Sequence, residues 1–147
     1  MFKNILIPTD GSALSRSAIA AGVKLAKAVG AKVTAVYAAP PATPLVYKDL
    51  LPVGYMTPDK HAAAIKKAVE NFLSLVERKA KAAGVRCKTL HVTSDFPAEV
   101  ILATAAKEKC DLIFIASHGR RGLTRLLLGS QTQKVLAGSK VPVLVHR

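Results

Sequence analysis

The chain is poor in the residues that build disulfide frameworks, membrane spans and acidic catalytic centres. Its 147 residues include two cysteines, no tryptophan and nine acidic residues. Two cysteines are too few for a disulfide framework, so Cys87 and Cys110 are predicted to be reduced packing residues, with a redox role as the alternative. No apolar run approaches the roughly 18 residues of a membrane helix, and the first eight residues are too short for a signal peptide. We therefore expect one soluble, cytoplasmic domain over residues 1–147, without a membrane partner.

The charge of the chain is strongly one-sided. The 22 lysines and arginines outnumber the acidic residues and give a net charge of +13 at pH 7. Such a surface attracts nucleic acids, anionic membranes and small polyanions. The alternative is a solvated basic surface, because many of the cations fall on predicted helix faces. No RNP-like aromatic pattern and no helix-turn-helix signature is present, so nucleic acid is not the expected partner, although the basic charge does not exclude it.

Segments typical of strands alternate along the chain with segments typical of helices. Strands are predicted at residues 3–8, 32–38, 85–92, 112–116 and 141–145. Helices are predicted at about residues 14–29, 62–83, 97–109 and 129–136 from their apolar spacing. Residues 39–58 contain five of the eight prolines and are predicted to be a loop, with room for a short helical turn near residues 48–51. This order predicts an α/β fold with an open five-stranded parallel sheet and helices on both faces.

A glycine-containing loop follows the fourth predicted strand. That strand runs into Gly119, and after nine further residues Gly129 opens the next predicted helix. Glycines let the backbone approach an anion closely, and a helix N-terminus offers N–H groups with a partial positive charge. Ser130 and Thr132 would add hydroxyl donors there. Residues 112–147 contain no acidic residue, so the pattern favours a polyanionic ligand such as a phosphate group.

Two polar loops are expected to meet at one edge of the sheet. Ligands of open parallel sheets bind beyond the carboxyl ends of the strands, where the strand order reverses. Residues 9–12 follow the first predicted strand, and residues 117–119 follow the fourth. If these two strands are neighbours, the loops face each other across a crevice, with Asp10 as the one carboxylate nearby.

The motifs of several enzyme classes are missing. The chain has no GxxxxGK[ST] loop, no GxGxxG segment after a strand and no GxSxG elbow. Its four histidines have no metal-ligand spacing to one another or to the cysteines, so no protein-made metal site is predicted. No second carboxylate is expected near the crevice to act as a base for water. No catalytic residue is therefore predicted, and the crevice is expected to bind a ligand rather than to turn it over rapidly.

With these features in place, the whole chain resembles the universal stress proteins. The resemblance begins with the segment KNILIPTDGS and ends with KVPVLVHR. The ATP-binding branch of that family carries Gly, two residues, Gly, nine residues, and then Gly followed by Ser or Thr. Here Gly119, Gly129 and Ser130 match, but Ala116 stands in place of the first glycine. The alanine matters for ATP binding if the backbone needs a positive φ at this position or if the ligand touches the α-carbon.

The resemblance implies a fold and a set of ligand contacts. The fold would be adenine nucleotide alpha hydrolase-like, with strand order 3-2-1-4-5. The residues implied at the adenosine are Pro8, Thr9, Asp10 and Ala38, with Ile115 and Ala116 beside the ribose. The residues implied at the phosphates are His118, Gly119, Gly129, Ser130, Gln131 and Thr132. Family members that bind ATP do so with a divalent cation, usually Mg²⁺ or Mn²⁺.

Each implied contact has a simpler alternative. Asp10 could cap the first helix, and His118 could be a solvent-facing turn residue. Ser130 and Thr132 could be ordinary N-caps of the helix that they open. The arginines at positions 120, 121 and 125 could be mobile surface charge rather than phosphate ligands.

Four functions stay open on the sequence alone. The leading one is an ATP-binding regulatory protein of the stress response with little or no turnover. The others are a slow ATPase or phosphotransferase, a nucleic-acid-binding protein, and a dimeric interaction module with an unoccupied pocket.

A homodimer through the last strand is predicted, because residues 141–145 are largely apolar on both faces and an edge strand presents unpaired backbone groups. Pro142 disfavours a central position for that strand, and dimers of this kind are common in the family that the chain resembles.

Overall fold

The computed structural model describes residues 1–41, 57–119 and 127–147, in which strands and helices alternate. The strands are β1 (Asn4–Pro8), β2 (Lys32–Ala39), β3 (Cys87–Thr93), β4 (Leu112–Ala116) and β5 (Val143–His146). The helices are α1 (Ala13–Val29), α2 (Pro58–Ala83), α3 (Pro97–Lys107) and α4 (Ser130–Gly138). The predicted alternation is confirmed. Part of the predicted loop, including the turn near residues 48–51, lies outside the described residues.

The five strands form one parallel sheet in the order β3-β2-β1-β4-β5. This confirms the predicted fold class and strand order. From β1 the chain first builds outward through β2 and β3, and it then returns to the other side of β1 with β4 and β5. The strand order therefore reverses between β1 and β4, which is where open parallel sheets bind their ligands.

The sheet separates two hydrophobic cores. Side chains alternate between its faces, so Ile5 and Ile7 pack under α1 and α2, whereas Leu6 packs under α3 and α4. Both faces of the central strands are covered, and every residue of β4 is buried. This burial explains the continuous apolar run of β4 and holds the carboxyl ends of β1 and β4 side by side.

The helix ends follow local signals. Gly30 and Gly84 end α1 and α2 in the left-handed conformation, each with a φ of 72°. Helix α2 begins at Pro58, before the apolar stripe, because the Thr57 side chain caps it. Strand β5 begins at Val143 rather than at residue 141, after Pro142. Within the described ranges, no helix is both long and apolar enough to cross a membrane.

Candidate functional site

The loop after β1 is held by short hydrogen bonds. Asp10 Oδ1 accepts a bond of 2.9 Å from the Ser12 N–H, which forms an Asx turn. Ser12 Oγ in turn accepts from the Ser15 N–H at 3.1 Å, so Ser12 is the N-cap of α1. Ser15 Oγ donates to Thr9 Oγ1 at 2.9 Å in a buried position. The alternative that Asp10 caps α1 is therefore wrong, because Asp10 forms the turn that precedes the cap.

The end of β4 is fastened to the start of α4. The Gly129 N–H donates to the Ser117 carbonyl at 2.7 Å, and Thr132 Oγ1 donates to the Ala116 carbonyl at 2.9 Å. A Cβ atom added to Gly129 would lie 3.1 Å from His118 Cα. Gly129 has an ordinary φ of −59°, so this position favours glycine because two backbones approach closely there and not because the turn needs a positive φ.

Helix α4 begins without a side-chain cap. Its N-cap is Gly129, and its first turn carries no acidic residue. The alternative that Ser130 and Thr132 are N-caps is therefore wrong. The expectation that the Thr132 hydroxyl donates to phosphate also fails, because its single proton is used by the Ala116 carbonyl. Ser130 is exposed at the start of the helix, and the other residues of this turn can offer main-chain N–H groups to a ligand.

Gln131 connects the starts of two helices. Its Oε1 accepts a hydrogen bond of 3.2 Å from the Ala98 N–H in the first turn of α3. The N-cap residue of α3, Phe96, makes no side-chain cap bond of its own. The resemblance placed Gln131 at the phosphates without predicting this contact, since no local signal joins residues that are 33 positions apart.

The two polar loops meet, as the crevice argument predicted. A Cβ atom added to Gly119 would overlap Asp10 Oδ2, so the carboxylate lies against the backbone of the loop that follows β4. His118 is half-buried, and its Nδ1 lies 3.2 Å from Ser117 Oγ. Ser117 was missing from the sequence-based site, although its carbonyl and hydroxyl both contact site residues. No group of three potential metal ligands occurs in the parts of the chain that the structure describes.

The residues expected at the adenosine lie at the ends of three strands. Pro8 and Ala38 are half-buried at the ends of β1 and β2, whereas Thr9 and Ile115 are buried. Ala116 lies in β4, level with a residue of β5. Its methyl group belongs to the core under α1 and α2.

Ala116 does not distort the end of β4. Among the described residues other than glycine, only Lys109 has a positive φ. Alanine therefore fits this position in an ordinary extended conformation, and the substitution of the first motif glycine introduces no backbone strain. The arginines at positions 120, 121 and 125 lie outside the described residues.

Both cysteines are free thiols, as predicted. Burial and the nearby carboxylate of Glu77 raise the pKa of Cys87 to about 11. Burial also raises the pKa of Cys110, although a hydrogen bond with Thr34 opposes part of that change. Both thiols are therefore protonated and unreactive near neutral pH.

The family and curated relatives agree with this architecture. A sequence model described as the universal stress protein family matches residues 1–147. Universal stress protein MJ0531 of Methanocaldococcus jannaschii is 34% identical over 149 residues, covering 99% of this chain and 82% of that protein. Universal stress protein YxiE of Bacillus subtilis is 32% identical over 150 residues, covering 100% of both chains.

Solved structures share the fold over nearly the whole chain. The structure of MJ0577, also from M. jannaschii, matches with a TM-score of 0.77 at 26% identity and covers 99% of this chain and 96% of that one. A universal stress protein in complex with cAMP matches with a TM-score of 0.72 at 24% identity, covering 99% and 97%. One from Archaeoglobus fulgidus in complex with dAMP matches with a TM-score of 0.65 at 18% identity, covering 99% and 98%. At such identities, the last two show the fold alone.

Proposed function

The chain belongs to the universal stress protein family, and on that premise we propose that it binds ATP or another adenine nucleotide in the crevice between β1 and β4. It would act as a nucleotide-dependent regulatory protein of the stress response with little or no turnover. The observation that carries this proposal is the uncapped, acid-free start of α4, held against the end of β4 beside the Asp10 loop. This is an anion-binding geometry at the point where the strand order reverses.

The phosphates would lie at the first turn of α4. Main-chain N–H groups of Ser130, Gln131 and Thr132 would supply donors, and the exposed Ser130 hydroxyl would add one more. The side chains of Gln131 and Thr132 would hold this turn in place through their own bonds to Ala98 and Ala116. Gly119 and His118 would form the opposite wall of the phosphate site.

The adenosine would lie across the ends of the neighbouring strands. Pro8 and Ala38 present half-buried apolar surface there, beside buried Ile115. The Thr9 main chain is held to β2 by a 2.9 Å bond to the Val36 carbonyl, so this wall is preorganised. An apolar wall with a few fixed polar groups is the usual form of a small-molecule site.

A divalent cation would reach this site together with the nucleotide. The described residues contain no group of three potential metal ligands, and the Asp10 carboxylate lies between the two loops. Mg²⁺ is commonly bound through one or two carboxylates together with substrate phosphates. Asp10 would therefore add one carboxylate to a cation that is held mainly by the phosphates.

Slow turnover follows from the shortage of a free base. Asp10 accepts the Ser12 N–H, and His118 Nδ1 is engaged with the Ser117 hydroxyl. Rapid hydrolysis requires a positioned base for the attacking water. We expect ADP production well below the roughly 1–10³ s⁻¹ of ordinary enzymes.

Calorimetry with ATP and Mg²⁺ tests the proposal, and Ser130→Asp is the sharpest variant. We expect micromolar affinity for the natural chain, which corresponds to roughly −8 kcal/mol. An aspartate in the first turn stabilises a helix through its macrodipole, but it repels phosphate at the same place. Ser130→Asp should therefore weaken ATP binding at least tenfold while the nucleotide-free protein melts no lower than the natural chain.

Ala137→Asp is the matched control. It adds the same charge to the same helix at an exposed position in the last turn, so its ATP affinity should stay within about twofold of the natural chain. Gly129→Glu should also abolish binding, because its side chain enters the space next to His118. Absence of heat and of any thermal shift at millimolar nucleotide would contradict nucleotide binding and favour an interaction module with an unoccupied pocket. Rapid ADP release that Ser130→Asp abolishes would instead favour an ATPase.

A further inference from the structure

The end of the sheet opposite the crevice is strongly basic. All strands of a parallel sheet begin at one edge, and the covering helices end there. Every connection from a helix to the next strand lies within the described ranges, so the structure describes this end continuously. The cations gathered there come from the last turns of the helices and from the starts of the strands. They include Lys27, Lys81 and Lys107 at helix ends, and Lys3, Lys32 and Arg86 at strand starts.

Three of these cations form a row across neighbouring strands. The Lys32 N–H donates to the Lys3 carbonyl at 3.0 Å, and the Val33 N–H donates to the Arg86 carbonyl at 2.8 Å. The backbones that carry Lys3, Lys32 and Arg86 are therefore adjacent, about 5 Å apart in the strand-to-strand direction. All three side chains are exposed. Lys27 from the end of α1 lines the same shallow depression as Lys32 and Arg86.

The carboxylates at this end offset the charge of the row only in part. Glu108 is bound by Lys88 at 2.7 Å, the one ion pair among the described residues. The hydrogen bond from Lys88 and the surrounding lysines hold the pKa of Glu108 below its usual value. The two carboxylate oxygens of Asp111 accept the N–H groups of Lys3 and Asn4. Lys32 also attracts Glu108, but neither carboxylate forms a described ion pair with a side chain of the row.

Helix stability explains only part of this charge. A cation in the last turn favours the C-terminal end of the helix macrodipole, which accounts for Lys27 and Lys81. Lys3, Lys32 and Arg86 lie outside the helices and precede or begin strands, whose own net dipole is small. Like charges placed side by side repel one another, so a row of this kind is stabilised by a polyanion.

We propose that five cations of this basic end, Lys3, Lys27, Lys32, Lys81 and Arg86, bind the phosphate backbone of double-stranded nucleic acid without reading its sequence. The cations are spread over exposed side chains at several strand starts and helix ends, which suits a polymer with regularly repeated phosphates better than one small anion. Backbone contacts of this type need no recognition helix, because released counterions supply the affinity. The missing nucleic-acid motifs are therefore compatible with this mode of binding.

The remaining surface of this end favours a duplex over other polyanions. Single strands bind through stacking on exposed aromatic side chains, and peripheral membrane proteins insert apolar ones. Apart from Met1 and Leu136, the described large hydrophobic residues that are exposed lie elsewhere. Val92, Phe96 and Leu127 lie toward the other end of the sheet, and Leu144 lies on β5. Leu136 lies in the last turn of α4, outside the strands β1, β2 and β3 that carry the row.

Fluorescence anisotropy of a labelled 20-base-pair duplex of arbitrary sequence tests the proposal across a range of NaCl concentrations. If the five cations each contact a phosphate, the logarithm of the affinity should fall with the logarithm of the salt concentration with a slope of about −4.5. The triple variant Lys27→Gln, Lys32→Gln, Arg86→Gln should reduce that slope to about −2. It should also weaken binding at least tenfold at low salt.

Lys60→Gln, Lys66→Gln, Lys67→Gln is the matched control. It removes the same charge from exposed positions in the first half of α2, far from the basic end, and it should leave the slope within one unit of the natural value. Equal losses of duplex affinity in both triple variants would overturn the proposal, because net charge alone would then explain binding. Absence of duplex binding at 25 mM NaCl would overturn it as well, as would tighter binding to a single strand or to anionic vesicles. Ser130→Asp should bind the duplex normally, so this test and the nucleotide test fail independently.

Discussion

The hydroxyl group of Thr132 donates a buried 2.9 Å hydrogen bond to the main-chain carbonyl of Ala116. This bond joins the first turn of α4 to the last residue of β4. A second tie, from the Gly129 N–H to the Ser117 carbonyl at 2.7 Å, lies next to it. Together they fix the helix N-terminus at the edge of the crevice, so the proposed phosphate site depends on residues whose side chains do not themselves face the ligand.

Thr132→Val should weaken both the fold and the nucleotide site. It keeps the shape of the side chain but removes the only donor, so a buried carbonyl loses a bond at a cost of about 1–3 kcal/mol. Denaturant unfolding should show this loss, and ATP affinity should fall because the start of α4 is less firmly held. Thr132→Ser retains the hydroxyl and serves as the control. Equal unfolding free energies for the two variants would show that the bond contributes little.

Ala116→Gly should show that the first motif glycine affects the stability of β4 more than it affects ATP binding. Restoring the family glycine removes a methyl group from the core and loosens an extended backbone, at a cost of about 0.5–1 kcal/mol of unfolding free energy. ATP affinity should stay within about threefold, because Ala116 already has ordinary strand geometry. A loss of affinity beyond tenfold would mean that the alignment of the glycine motif is wrong at this position.

Cys87 should resist alkylation until the solution is strongly alkaline. Its pKa of about 11 keeps the thiol protonated in the folded state, whereas the unfolded chain ionises near the ordinary value of 9.0. Folding stability should therefore decline as the pH rises from about 9 to 11, since only the unfolded state releases this proton readily. The rate at which iodoacetamide alkylates Cys87 can be measured in the Cys110→Ser variant, with and without denaturant. Equal alkylation rates for the folded and the unfolded chain at pH 8 would contradict the raised pKa.

The homodimer remains a prediction, and its expected interface is the outer edge of β5. That strand pairs with β4 on one side only, and Leu144 is 40% exposed. The carbonyls of Pro142 and His146 accept N–H groups from the β4 side. Successive residues of a strand point their N–H and carbonyl groups to opposite sides, so those of Val145 face away from β4.

Val145→Pro would remove one outward donor from this edge without touching the ladder to β4. Light scattering at tens of micromolar should then report the chain mass of 15.5 kDa, against twice that value for the natural chain. Leu144→Lys provides a second variant that keeps all backbone donors and charges the edge. A natural chain that is monomeric at this concentration would refute the dimer.

The order of the elements and the position of the crevice could be predicted from the sequence, because both depend on local signals. Apolar periodicity located the strands and helices, and Gly30 and Gly84 marked helix ends through a conformation that glycine adopts readily. The spacing of Gly119 and Gly129 located the segment that connects β4 to α4. Parallel βαβ connectivity then brought the loops after β1 and β4 to the same edge, as the structure confirms.

The direction of the site side chains was decided only by the tertiary structure. The sequence around Thr132 predicted a cap or a phosphate ligand, and the family resemblance placed Gln131 at the phosphates, but their side-chain partners lie 16 and 33 positions away. The cations of the basic end are likewise scattered along the chain, where each one reads as ordinary surface charge. They become a row only because parallel strands all begin at one edge of the sheet, a juxtaposition that no local pattern contains.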